Sequence, residues 1–190
     1  SSEVFHEAGF SGPFSVVHNG VDTTVFDTTL RPRFRAPRSR AWWRPGDPVR
    51  IVISTWSTDD SKGFPLYREL DRAVSGRRDV HVTLVGRAPG GERFSGIHVA
   101  RARPSAQLAE LLKRQHVLLQ LTQWESCSNA LIEGINCGLP AVYLDSGAND
   151  EIGRGYGVAW EGSLDEALGR LLETYEPIVE RIPSNPYRIE

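Results

Sequence analysis

Methionine is absent from all 190 residues. The expectation is that the chain as written is not a primary translation product and that residues ahead of Ser1 were removed or left out. Only two cysteines occur, Cys127 and Cys137. If one helix joins them, ten residues at about 1.5 Å rise set them roughly 15 Å apart, beyond the reach of a disulfide. No third or fourth ligand stands at metal spacing, and the five histidines are scattered, so no bound metal is expected. Cys137, beside Gly138, reads as a small buried hydrophobe. Long apolar runs and a leading signal peptide are both missing. Charge is nearly balanced, with a formal net of −2, which gives no global pull toward nucleic acid or an acidic membrane. Membrane association is permitted but not indicated. No G-x-G-x-x-G follows the first strand and no G-x-x-x-x-G-K-S/T occurs anywhere. Dinucleotide oxidoreductases and P-loop NTPases are thereby disfavoured. A reduced, cytoplasmic protein of one domain, residues 1–190, is the expectation.

What is present alternates. "SVVHN" (Ser15–Asn19), "VRIVIST" (Val49–Thr55), "DVHVTLVG", "IHVAR", "HVLLQLT", "PAVYL" and "GVAW" read as strands. Between them, "FPLYRELDRAV" (Phe64–Val74) reads as a helix with Pro65 in its first turn. "SAQLAELLKRQ" reads as a helix with Ser105 as N-cap, and "SLDEALGRLLETYE" as a helix with Ser163 as N-cap. Runs such as "VTLV" and "VLLQL" are nearly continuous hydrophobes, as a sheet covered on both faces requires. The alternation predicts an α/β fold, a doubly wound parallel β-sheet flanked by helices. The segment Arg31–Pro48 is rich in arginine and proline and reads as a long surface connection. Its basic character also suits an anion or an acidic lipid surface.

In such a sheet ligands bind beyond the carboxyl ends of the strands, so the loops after the strands carry the candidates. Ser57, Thr58 and Lys62 follow the first long strand, Arg87 follows the next, and Arg101 and Arg103 follow the third. Glu125 precedes a helix start in "QWESCSN". Cations beside a helix N-terminus, whose free N–H groups favour an anion, suggest diphosphate binding. Each has a plainer reading as well. Lys62 is also consistent with a solvated residue, although the start of a helix is a poor place for its charge, and Arg87 fits surface or ligand equally. Trp56 and Trp124 sit in two of these loops; such tryptophans more often plug the top of a core than flank a base or sugar.

In "ESCSNALIEG" the carboxylates Glu125 and Glu133 stand eight positions apart. On a helix beginning near Ser128, the residues Asn129, Glu133 and Asn136 form one polar stripe, and Leu131 and Ile135 point the other way. Periodicity alone makes Glu133 a solvated residue.

An ordered set of motifs says more. "VVHNGVDTTVF", "SKGF", "LVGRAPGG" and "ESCSNALIEGINCGLPAV" resemble, in sequence order, the landmarks of retaining glycosyltransferases of family 4, spanning roughly Ser15 to Glu176. They match the C-terminal, donor-binding half of that family's GT-B architecture, two Rossmann-like domains facing across a cleft. The resemblance implies a hexosyltransferase whose donor is a nucleotide-diphosphate sugar, with no cofactor and no metal. It further implies that Lys62 pairs with the diphosphate and Glu125 holds hydroxyls of the donor sugar, the two residues closest to the reaction. Backbone N–H groups of Ser126, Cys127, Ser128 and Asn129 would meet sugar and distal phosphate, and Glu133 would bind the ribose. The turn from Arg101 to Pro104, with Arg103, would border the base.

The family's G-R-L is replaced here by Trp56-Ser57-Thr58, so its arginine is absent, and Arg87, Ser57 or Thr58 is expected to serve instead. The acceptor, a glycan or small molecule, would be bound by an N-terminal domain or partner chain, so the domain alone is expected to be inactive. A non-catalytic nucleotide-sugar-binding or assembly module and a GT-B-fold sugar-nucleotide epimerase are the alternatives.

Overall fold

A computed structural model of the chain describes residues 9, 11–12, 19–28, 43–184 and 187–189. The predicted strand Ser15–Asn19, apart from Asn19, lies outside the described residues, as does most of the Arg31–Pro48 connection. The described end of that connection packs inward: the Trp43 ring meets Tyr175 edge-on at 6.2 Å.

Six parallel strands form the main sheet: β2 (Val49–Thr55), β3 (Val80–Gly86), β4 (Ile97–Arg101), β5 (Val117–Gln120), β6 (Ala141–Tyr143) and β7 (Gly157–Ala159). Their spatial order is β4-β3-β2-β5-β6-β7. The chain runs outward from β2 through β3 to β4, then returns to the other side of β2 and runs outward again. That is the doubly wound order, and its reversal opens a crevice between the carboxyl ends of β2 and β5. The predicted α/β class is therefore correct. A second, two-stranded parallel sheet joins β1 (Val21–Asp22) to β8 (Arg188–Ile189).

Burial explains the strand composition. Ile51, Val52, Ile53, Val117, Leu118 and Leu119 are all at most 1% exposed, so alternation disappears where helices cover both faces. Helix α1 (Phe64–Val74) starts at Gly63 and carries Pro65 in its first turn, where no backbone donor is needed. Its inward stripe is Phe64, Tyr67, Leu70, Asp71 and Val74. Phe64 and Tyr67 are fully buried, a gain of roughly 1.5–3 kcal/mol for a ring of this kind. The Tyr67 hydroxyl accepts from Leu121 N at 3.1 Å, which satisfies its polar end. Asp71, on the same stripe, accepts from Ser95 N (3.0 Å), Gly96 N (2.7 Å) and Ile97 N (2.9 Å) and from the Ser95 hydroxyl (3.2 Å). Burial pushes this carboxyl up, but the donors together outweigh burial and hold it below its ordinary value. Asp71 thus ties the entry of edge strand β4 to α1.

Three sequence expectations need correction. Helix α2 (Ser105–Leu112) is capped by Pro104 in an extended conformation without a side-chain bond, and Ser105 is its first residue, not its cap. The long terminal helix is two: α5 (Leu164–Glu173) and α6 (Tyr175–Arg181), parted at Thr174. Thr174 leaves the helical region at φ −113°, ψ 16°, and its hydroxyl donates back to Arg170 O at 3.0 Å. Ser163 does cap α5, accepting from Glu166 N. A short helix, α4 (Asn149–Gly153), occupies part of what reads as the loop after β6. Between these, α3 (Asn129–Asn136) follows β5. Neither Cys127 nor Cys137 is in a disulfide, and Cys137 is fully buried. None of the described helices is long and apolar enough to cross a membrane.

Candidate functional site

Two loops build the crevice. After β2, the Asp59 carboxylate accepts from Ser61 N at 2.8 Å and starts a single 3-10 turn, Asp60–Lys62. Gly63 closes that turn at φ +94°, and a Cβ there would stand 2.7 Å from Leu121 O. Only glycine permits both the left-handed backbone and this approach. Beside it, Gln123 N donates to Ser61 O at 2.7 Å, so the loop after β2 is clamped to the loop after β5. The second loop is anchored from behind, with Ala148 N donating to Glu125 O (2.8 Å) and Trp124 N to the Ser146 hydroxyl (3.0 Å).

Across this joint Lys62 Nζ meets Glu125 Oε2 at 2.6 Å. Their side chains are 31% and 23% exposed, so the pair is partly screened and contributes about 1 kcal/mol or less. Lys62 and Glu125 lie on the wall of a cavity of about 260 Å³ and are the only charged residues lining it among the described residues. Helix α3 begins at its side. Ser128, 2% exposed, is the N-cap, its hydroxyl accepting from Leu131 N at 3.3 Å. Asn19 approaches this start from the other end of the chain, its amide donating to Asn129 Oδ1 at 2.9 Å and its backbone N to Cys127 Sγ at 3.4 Å.

Ser57, Lys62, Glu125, Cys127, Ser128 and Asn129 are brought together on this cavity. Thr58 and Ser126 are exposed in the same loops and do not line it. Arg87 is adjacent by backbone, its N donating to Thr55 O at 3.0 Å, with an exposed side chain off the cavity wall. Arg103 lines a separate groove of about 480 Å³ with Gln107, Glu110 and Arg114 of the α2 region. Glu133 lies one turn further along α3, half-buried and off the cavity wall. No side-chain hydrogen bond or ion pair engages it among the described residues, and burial pushes its carboxyl up to about 7. The predicted polar stripe is not a solvent face: Asn136 is 2% exposed and donates to Ile132 O at 3.0 Å.

The tryptophans are not core plugs. Trp56 is 51% and Trp124 83% exposed. Trp56 stands on the cavity rim, and Trp124 holds φ +56°, a strained conformation for a bulky residue that clusters at functional sites. Sequence reasoning missed four polar wall residues, Ser54, Thr55, Gln120 and Thr122. A signal existed: Gln120 interrupts "VLLQL" and Ser54 ends "IVIS", polar residues inside otherwise apolar buried strands.

No protein-family model and no curated protein matches the sequence. Solved structures do match in shape. Sucrose-phosphate synthase from Thermosynechococcus elongatus superposes with a TM-score of 0.68 at 16% identity, covering 98% of this chain and 52% of that one. The pneumococcal O-GlcNAc transferase GtfA, solved with UDP and GlcNAc, gives 0.64 at 15% identity over 96% of this chain and 39% of that one. The C-terminal domain of a group 1 family glycosyl transferase (LpcC) from Francisella tularensis gives 0.65 at 14% identity, over 90% of this chain and 100% of that one. The fold is the Rossmann-like α/β fold of GT-B glycosyltransferase domains. The chain spans about half or less of the first two of these proteins, and the whole of the isolated domain.

Proposed function

We propose that this chain is the donor-binding half of a glycosyltransferase of GT-B architecture, taking a nucleotide-diphosphate sugar and passing the sugar to an acceptor held by a separate domain or chain. One observation carries the reading: Lys62, Glu125 and the capped start of α3 converge on a single cavity at the point where the strand order reverses. In this reading a diphosphate draws Lys62 away from Glu125. The exchange is favourable, since a partly exposed ion pair contributes about 1 kcal/mol or less, whereas hydrogen bonds to charged groups contribute roughly 1.5–3 kcal/mol. Glu125 is then released to accept from the sugar hydroxyls. Breaking the anomeric C–O bond puts negative charge on the departing diphosphate, which Lys62 and the free N–H groups of the helix start stabilise in place. Membership of family 4, the retaining outcome and the hexosyl class rest on the motif resemblance; acceptor binding outside this chain is supported by the coverage of the longer structures.

Lys62 is the single cation on the cavity wall among the described residues, and that observation favours a second reading, a module that binds nucleotide sugar without transfer. Calorimetry with UDP, GDP, ADP and their hexose conjugates tests binding. One base should bind, EDTA should leave the affinity unchanged, and Lys62→Ala should weaken it about tenfold or more. No binding of any member at millimolar concentration would overturn both readings. Radiolabelled-sugar transfer upon supplying an acceptor domain separates them.

A further inference from the structure

Beneath the Lys62–Glu125 pair the cavity floor is polar, although it sits on the two central strands. Ser54, next to last in β2, is 2% exposed, and Gln120, last in β5, is 4% exposed. Both line the cavity. The Gln120 amide nitrogen donates to the Thr122 hydroxyl at 2.5 Å, while Gln120 Oε1 and Ser54 Oγ have no hydrogen-bond partner among the described residues. Turning the amide over exchanges the roles of its two atoms but still leaves one of them unpartnered. Buried polar side chains are ordinarily paired, because an unpaired one forfeits its hydration with nothing in return. Two such atoms, on lining residues of the two strands that flank the switch point, are a built recognition surface at the floor of one cavity.

We propose that Ser54 and Gln120 form a hydroxyl-reading subsite that receives the sugar of the donor and sets its preference, an inference that rests on the donor-binding reading above. The chemistry selects a neutral hydroxyl over a phosphate. Ser54 Oγ both donates and accepts, and Gln120 offers an amide, so a sugar hydroxyl accepts from one and donates to the other. A phosphate oxygen only accepts, and the cation that would hold it, Lys62, stands on the upper wall with Glu125. A sugar hydroxyl that finds both partners is distinguished from a hydrogen or a methyl at the same place, since either would leave the floor unpaired.

The test measures, by calorimetry on the whole chain, the ratio of affinities for a sugar nucleotide and its free nucleoside diphosphate, using UDP-glucose/UDP, GDP-mannose/GDP and ADP-glucose/ADP. The variants are Ser54→Ala and the double change Gln120→Leu/Thr122→Val, which removes both partners of the 2.5 Å bond and keeps the floor apolar and filled. The expected result is a fall of about tenfold in the ratio for the bound base in each variant, with a thermal midpoint of the double variant equal to or above wild type. An unchanged ratio in both variants, with nucleotide still bound, overturns the subsite and leaves the donor reading standing; so does a double variant that loses the ratio only together with its folded state. Absence of any nucleotide binding by wild type overturns the donor reading, and this inference with it.

Discussion

The β4 edge of the sheet and its central crevice treat buried polar groups in opposite ways. At the edge, Asp71 sits 8% exposed and accepts from three backbone N–H groups and one hydroxyl. In the crevice, Ser54 and Gln120 are buried at least as deeply, yet each keeps an atom with no partner among the described residues, and further along α3, off the cavity wall, half-buried Glu133 carries a carboxyl that no charged or hydrogen-bonding group engages among them. Saturation at the edge turns a polar residue into a structural tie. Incomplete pairing in the crevice costs stability and is retained where an outside group can complete it. The contrast also holds for the backbone, since the one non-glycine residue at positive φ among those described, Trp124, lies beside the crevice.

The largest way to break this contrast is Asp71→Ala. Three N–H groups, that of Ile97 buried and those of Ser95 and Gly96 part-buried, lose their acceptor, and the expected loss is about 3 kcal/mol. The denaturant midpoint should fall with the slope unchanged. The pH dependence has a definite sign. Because the folded carboxyl lies below its ordinary value, its contribution is complete above about pH 5 and disappears as pH falls through the unfolded value near 4 and on to the lower folded one. Wild type should therefore lose more stability than the variant between pH 5 and 3. A loss under 1 kcal/mol would mean that Asp71 is not the tie.

Glu133 gives the intermediate effect. Glu133→Ala should weaken the free nucleoside diphosphate by roughly 1.5–3 kcal/mol if its carboxylate holds ribose hydroxyls. For stability the sign is the reverse of Asp71. With a folded value of about 7 and an unfolded value near 4.3, the fold prefers the protonated acid. The penalty is absent at low pH, grows between those values and is constant above them. Wild type should be less stable at pH 8 than at pH 5.5 by about 1 kcal/mol after solvent screening, and Glu133→Gln should remove that difference. A flat profile in wild type would return Glu133 to an ordinary wet helix face. The smallest effect belongs to Trp124→Gly, which relieves the positive φ of an 83% exposed side chain; stability should rise by about 1 kcal/mol in chemical denaturation.

The long strands and α1 are legible in the sequence because burial on both faces leaves an uninterrupted apolar signature, as in "VRIVIST", and because Pro65 marks a helix start. The break at Thr174 is not legible, since the apolar period carries on across it and Tyr175 keeps a core position at 4% exposure. Lys62, Glu125 and Ser128 are readable as candidates because they fall in loops after strands, which the doubly wound order directs to one end. Ser54 and Gln120 are harder. Whether a strand-end side chain meets the crevice or a helix depends on strand pairing, with Ile51 beside Val117 and Val52 beside Leu118, and pairing is not written in either segment alone. Asn136 misleads for a related reason, since its own helix backbone satisfies it.

The joint at Gly63 has a kinetic consequence. Because Gln123 N is bonded to Ser61 O and Gly63 rests against Leu121 O, the spacing between Lys62 and Glu125 is gauged by main chain. A ligand that parts the two charges has only to rotate two side chains, an event of nanoseconds, and has no loop to rearrange. Capture at this crevice should therefore proceed at the pace of encounter, and differences in affinity among ligands should appear in how long each one stays.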